Sequence, residues 1–173
     1  MRILRTRPIL VLLLANALVL AGQTRWFTRD DVEYSIELPS PAWQVVSRVD
    51  VHDHHEFING NDPLNGYLRL RKILVDQPTG ASELFRRDEK WELQHLRGYV
   101  VCSECDGIAF KGRLSGAVFS YEYVSEGRAM LGRIYYLQLN QRTFYSLRFT
   151  GAREKLQAAG GQMDRIARSF HLK

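Results

Sequence analysis

The chain has 173 residues, 45% of them hydrophobic and 25% charged, ordinary values for one globular domain with a single buried core. Its formal charge is +5 and its isoelectric point about 9.4, which suggests a basic protein. Arg2, Arg5 and Arg7 supply three of those charges, however, and without them the excess falls to two, so nucleic acid drops out as an expected partner.

Residues 1–22 read as a secretory signal peptide: a positive leader (MRILRTR), then an apolar run from Ile9 to Leu20 broken only by Asn16. A spanning helix needs about 20 apolar residues, so this run is short for a bilayer. No cysteine follows it directly, which leaves no acceptor for a lipid anchor; an uncleaved N-terminal anchor is the alternative, and the only membrane contact expected. Export to the periplasm or beyond places the remaining chain in an oxidising compartment.

Residues 24–173 read as one α+β domain. Tyr34, Ile36 and Leu38 alternate with Ser35 and Glu37, the period of a half-buried strand, and Pro39-Ser40-Pro41 ends it. A second strand is expected over Trp43 to Val51, paired with the first as a hairpin. His52 to Ile58 and Tyr67 to Val75 follow as strands around the turn-rich NGNDPLNG, residues 59–66. In the latter strand Leu68, Leu70 and Leu74 share a face.

From Ala81 to Arg97 the period lengthens to about 3.6, which predicts a helix with Leu84, Phe85, Trp91, His95 and Leu96 on its apolar stripe. Thr79 or Ser82 is the expected cap, Gly98 the stop. Asp88 lies near the stripe and is expected to be a partly buried acid held by an arginine or a backbone donor. Leu114 to Val124, Ala129 to Asn140 and Thr143 to Thr150 are separated by turns too short for parallel crossovers, so they form an antiparallel meander. Leu156, Met163, Ile166 and Phe170 mark a C-terminal amphipathic helix that covers the sheet, with Gly160-Gly161 as a break.

Three constellations bear on chemistry. Cys102 and Cys105 form a CxxC motif whose flanks lack the features of a redox site, so a structural disulfide is expected. On one extended strand the two would stand about 10 Å apart, beyond disulfide reach, and the bridge therefore needs a loop from Ser103 to Gly107. Free or partner-linked thiols, or redox or zinc chemistry, are the alternatives. His52, His54 and Glu56 project to one side of a strand and could hold a divalent metal such as zinc, copper or nickel; with them goes the alternative reading of a metal-binding protein or metal-dependent hydrolase. Arg69, Arg71, Tyr121, Arg133, Tyr136 and Arg148, with Tyr67 and Arg113, are residue types favoured at interfaces and form a candidate partner surface.

No G-x-S-x-G elbow is present (in Gly112 to Gly116 the serine falls one place late), and there is no Walker loop, dinucleotide glycine pattern, HExxH or EF-hand order. Catalytic residues are therefore not assigned, and no cofactor is expected beyond that metal alternative.

Tyr34-Ser35-Ile36-Glu37-Leu38-Pro39 followed by Trp43, then Phe110-Lys111-Gly112, Arg133-Ile134-Tyr135-Tyr136, and Met163 to Phe170 as MDRIARSF resemble the PsbP-like superfamily. The resemblance implies an αβα-like sandwich, an antiparallel sheet of about six strands between helices, and a role in binding or stabilising a protein partner, with no catalytic signature.

Overall fold

The computed structural model describes residues 24–47, 54–110 and 114–173. The expected signal peptide (1–22), His52, Asp53 and Arg113 lie outside them. Two antiparallel sheets organise the described residues. The larger has seven strands, where about six were expected, in the order β3-β4-β5-β9-β8-β7-β6. Its members are β3 (Trp43–Ser47), β4 (His54–Asn59), β5 (Tyr67–Leu74), β6 (Val100–Ala109), β7 (Ser115–Ser125), β8 (Arg128–Asn140) and β9 (Thr143–Ala152). The meander β7-β8-β9 forms as the short turns require, and β9 then pairs with β5 from Tyr67↔Thr150 to Leu74↔Thr143.

The smaller sheet has the order β1-β2-β10, made of β1 (Arg25–Phe27), β2 (Tyr34–Leu38) and β10 (His171–Leu172). This corrects the expected hairpin between the strands at Tyr34 and Trp43. The chain turns at Ser40, whose carbonyl accepts from the Trp43 amide at 3.1 Å, and β3 leaves to pair with β4. Ile36 and Leu38 are fully buried in a cluster with Trp43, Phe57, Leu68, Leu147, Phe149, Ile166 and Phe170, so β2 is more useful as a lid over the large sheet than as its edge.

Three helices cover the large sheet. α1 (Ala81–Trp91) packs on one face; α2 (Arg153–Ala158) and α3 (Gly160–Ser169), divided beside Gly160 as expected, share the other with the small sheet. Both faces of the meander are consequently buried, one by the cluster named above and the other by Leu84, Phe85, Phe119, Tyr121, Ile134, Tyr136 and Phe144. Phe85 stacks on Phe119 with ring centroids 3.9 Å apart, which pins α1 over β7 and β8.

The helix departs from expectation at both ends. Gly80 occupies the N-cap in extended conformation without a side-chain cap bond. At the far end the α-helix stops at Trp91, and a 3-10 turn at Leu93–His95 follows. Leu93 takes the buried place there, while Trp91, expected inside, is 68% exposed, because the last turn lies beside the arginines of β5 and not over β7. Leu74 is likewise 72% exposed, at the end of β5 next to Trp91. Gly98 does end this segment, in the left-handed conformation at φ 64° that glycine tolerates.

Candidate functional site

Because α1 covers only β7 and β8, the part of the same face formed by β5 is left as one wall of a cleft, with the end of α1 as the other. Strand alternation sends Tyr67, Arg69, Arg71 and Ile73 to this face, and Leu68 and Leu70 to the core behind it. Cross-strand pairing sets Arg148 on β9 opposite Arg69. The cleft has two adjoining hollows. One of about 490 Å³ is lined by Arg69, Arg71, Lys72, Arg87, Asp88 and Trp91 among others, and one of about 230 Å³ by Tyr67, Leu93, Tyr121, Tyr123 and Arg148; Arg69 and Glu92 border both.

A hydrogen-bonded network forms the floor. Asp88, projecting from α1, accepts from Arg71 at 3.1 Å, Arg148 at 3.2 Å and the Tyr136 hydroxyl at 2.6 Å. The expected partly buried acid is thus satisfied by two guanidiniums and a phenol. Arg148 also pairs with Glu92. Burial raises the pKa of Glu92, but the hydrogen bond and charge of Arg148 more than offset it, leaving the carboxyl below its ordinary value of 4.5. Burial pushes the Tyr121 phenol up to about 12 and raises the Tyr136 phenol well above its ordinary value, so both remain neutral. Tyr121 reaches its place because Gly132 lies across the strand pair: a Cβ there would fall 2.1 Å from the Tyr121 ring.

A group whose pKa is depressed by folding stabilises the native state above its unfolded value and loses that contribution as pH falls through the folded value. Resistance to urea is therefore expected to fall as pH drops below 4.5, and Glu92→Gln is expected to remove part of that slope. An unchanged slope in the variant would contradict the Arg148–Glu92 pairing.

Of the six arginines and tyrosines expected at a partner surface, Arg69, Arg71, Tyr121, Tyr136 and Arg148 converge on this cleft. Their roles differ from the expectation in one respect: Tyr121 and Tyr136 are almost fully buried, serving as floor and support rather than as exposed contacts. Arg133 does not join them. It lies on the opposite face, donating to Asp164 at 3.1 Å and resting 5.3 Å from the Tyr135 ring. Trp91 and Leu74 belong to the site and were missed, since a helical stripe and an alternating strand both assign them inward.

The histidine cluster divides. In the backbone register His54 stands opposite Arg71 and Glu56 opposite Arg69, and Glu56 accepts a hydrogen bond from Tyr67, which helps to raise that phenol's pKa after burial. His55 points to the core, 2.8 Å from the Tyr34 hydroxyl and edge-on to Phe27. It borders a third hollow of about 300 Å³, where Glu33 binds Lys72 and Tyr145. Among the described residues no cluster of three or more histidines, cysteines and acids is placed to hold a metal.

The loop expected from Ser103 to Gly107 is a strand. β6 runs through from Val100 to Ala109, with irregularities in its pairing to β7, because the alternative turn would forfeit a ladder to the meander. Cys102 carries a free, exposed thiol. The side chain of Cys105 lies outside the described residues. No helix among the described residues is long and apolar enough to cross a membrane.

No protein-family model matches the chain, and no curated protein matches its sequence. Solved structures do. The Ran-binding protein Mog1p of Saccharomyces cerevisiae superposes with a TM-score of 0.62 at 10% identity, over 87% of this chain and 96% of that one. Cyanobacterial PsbP from Synechocystis sp. PCC 6803 gives 0.57 at 13% identity, over 91% and 96%. LpqN, involved in cell envelope biogenesis of Mycobacterium tuberculosis, gives 0.57 at 14% identity, over 87% and 91%. The fold is that of PsbP-like proteins, as the sequence motifs implied.

Proposed function

We propose that the protein is an exported, non-catalytic binding or assembly module that docks a protein partner in the cleft between β5 and α1. One observation carries this reading: Arg69, Arg71 and Arg148 gather from two neighbouring strands in a cleft whose rim exposes Trp91 and Leu74. Tryptophan and arginine are the residues most enriched where interfaces concentrate binding energy. A large indole at 68% exposure contributes little to the fold and much to a contact. The description of Mog1p as Ran-binding is in keeping with a protein partner for this fold. Export rests on the signal-like residues 1–22, and a single domain over residues 24–173 belongs to the same reading.

Trp91→Ala separates docking from folding. Because the side chain is exposed, its removal is expected to change stability by less than about 0.5 kcal/mol. Affinity capture from the exported fraction is expected to enrich a partner that rebinds as a purified protein, and Trp91→Ala to lose it. Equal recovery and equal rebinding by the variant would rule out the cleft as the docking site.

A further inference from the structure

We infer that the cleft recognises an acidic, extended protein segment carrying large apolar side chains, and that Arg69 and Arg87 read its carboxylates while Arg71 and Arg148 only hold the cleft open. The inference rests on the docking role proposed above and specifies the partner's chemistry.

Charge decides the sign. Four cations, Arg69, Arg71, Lys72 and Arg87, line the larger hollow against two acids, Asp88 and Glu92. Both acids are already engaged. Asp88 is shared by Arg71 and Arg148, and Glu92 is held by Arg148. Lys72 pairs with Glu33 outside the cleft. Arg69 and Arg87 remain, one on each wall, and neither forms an ion pair among the described residues. Among the described residues neither guanidinium donates a side-chain hydrogen bond, although Glu56 stands across the strand pair from Arg69, and a carboxylate is the planar acceptor that matches the fork.

The apolar part follows from the rim. Trp91 and Leu74 border the same hollow as the two unpaired arginines and have no core to enter. An extended segment presents side chains on alternate sides every two residues, so carboxylates and apolar groups in alternation fit the juxtaposition of guanidinium and indole. The second arginine pair has a different duty. Arg148, buried, and Arg71, partly buried, are both held by Asp88, and displacing them would leave that carboxylate unpaired, a high cost. They are positioning residues.

The probe is a fluorescein-labelled ten-residue peptide alternating glutamate and leucine, titrated by anisotropy against the protein from residue 24 to its end, beside a lysine-leucine peptide, a peptide of glutamate alone and a single-stranded oligonucleotide. The glutamate-leucine peptide is expected to bind best, less tightly as salt rises, and to move the indole N–H resonance of Trp91. Arg69→Glu/Arg87→Glu is expected to weaken it at least tenfold and Trp91→Ala severalfold, both with unchanged melting temperature. Arg69→Lys/Arg87→Lys tests the fork separately, with part of the affinity retained. Failure of the acidic peptide to bind, indifference to the charge reversal, or tighter binding of the oligonucleotide would overturn the inference. A captured cellular partner that the charge-reversed protein still binds would overturn it while leaving protein docking intact. Peptide binding in the cleft with no partner captured from the exported fraction would support the chemistry assigned here and count against the cellular role.

Discussion

Replacing Asp88 by alanine is expected to destabilise the protein by about 3–5 kcal/mol, the range for removing one partner of a buried ion pair. The substitution deletes the acceptor of three hydrogen bonds, those of Arg71, Arg148 and Tyr136. Arg148 is almost fully buried, and although Glu92 still faces it, that carboxylate is half exposed and cannot accept from Tyr136 as well. Asp88→Asn keeps the shape but halves the charge complement, and should fall between alanine and wild type. Urea unfolding of the three proteins checks the order. The same variants bear on function, because the network fixes the distance between α1 and β5. Loss of Asp88 is therefore expected to impair docking even in conditions where the domain remains folded.

Trp43→Ala is expected to cost about as much, about 3–5 kcal/mol, for a different reason. The indole is completely buried, meets Phe149 edge to face at 6.0 Å and donates from Nε1 to the Gln162 side chain at 2.9 Å. It thus ties β3, an edge strand of the large sheet, to β9 and α3 together. Truncation leaves a cavity that the turn at Gly66 cannot fill, since that turn is fixed by its own bonds to Asn59 and Pro63, although it lies close enough that a Cβ on Gly66 would come 3.2 Å from the ring. Trp43→Phe should recover most of the loss apart from the hydrogen bond, worth about 1 kcal/mol. Denaturation midpoints measured together for both variants test this, and a loss below about 1 kcal/mol in the alanine variant would contradict the packing described.

The meander and the C-terminal cover were legible in the sequence because they rest on local rules. Alternation over Ala129 to Thr150 and turns of two to four residues admit only antiparallel neighbours, and glycine at 160 and 161 predicts the division between α2 and α3. The small sheet was not legible. β10 is two residues long, and it meets β2 through a register, His171↔Ser35 and Leu172↔Tyr34, that no periodicity encodes. Once β2 is drawn into that sheet, β3 has only β4 to pair with, so one long-range contact undoes the expected hairpin.

The site shows the same division. Arginine and tyrosine were readable as interface residues, but their grouping depends on strand order. Arg148 meets Arg69 only because β9 inserts beside β5, and Arg133, fifteen positions earlier in the chain, faces the other way. Trp91 and Leu74 were read inward because a pattern records which side of an element a residue occupies, and not whether anything covers that side. The loop from Ser103 to Gly107 was expected because a bridge between Cys102 and Cys105 needs one, yet that stretch runs as a strand beside β7.

Docking through the β5–α1 cleft is tested most directly by photo-crosslinking in the producing cell, with the photoreactive residue placed at position 91 or, on the far side of the meander, at the exposed Leu139. One dominant protein adduct is expected from position 91, absent from position 139 and lost when Arg69→Glu/Arg87→Glu is added. The same adduct from both positions, or from position 91 regardless of the arginines, would contradict it.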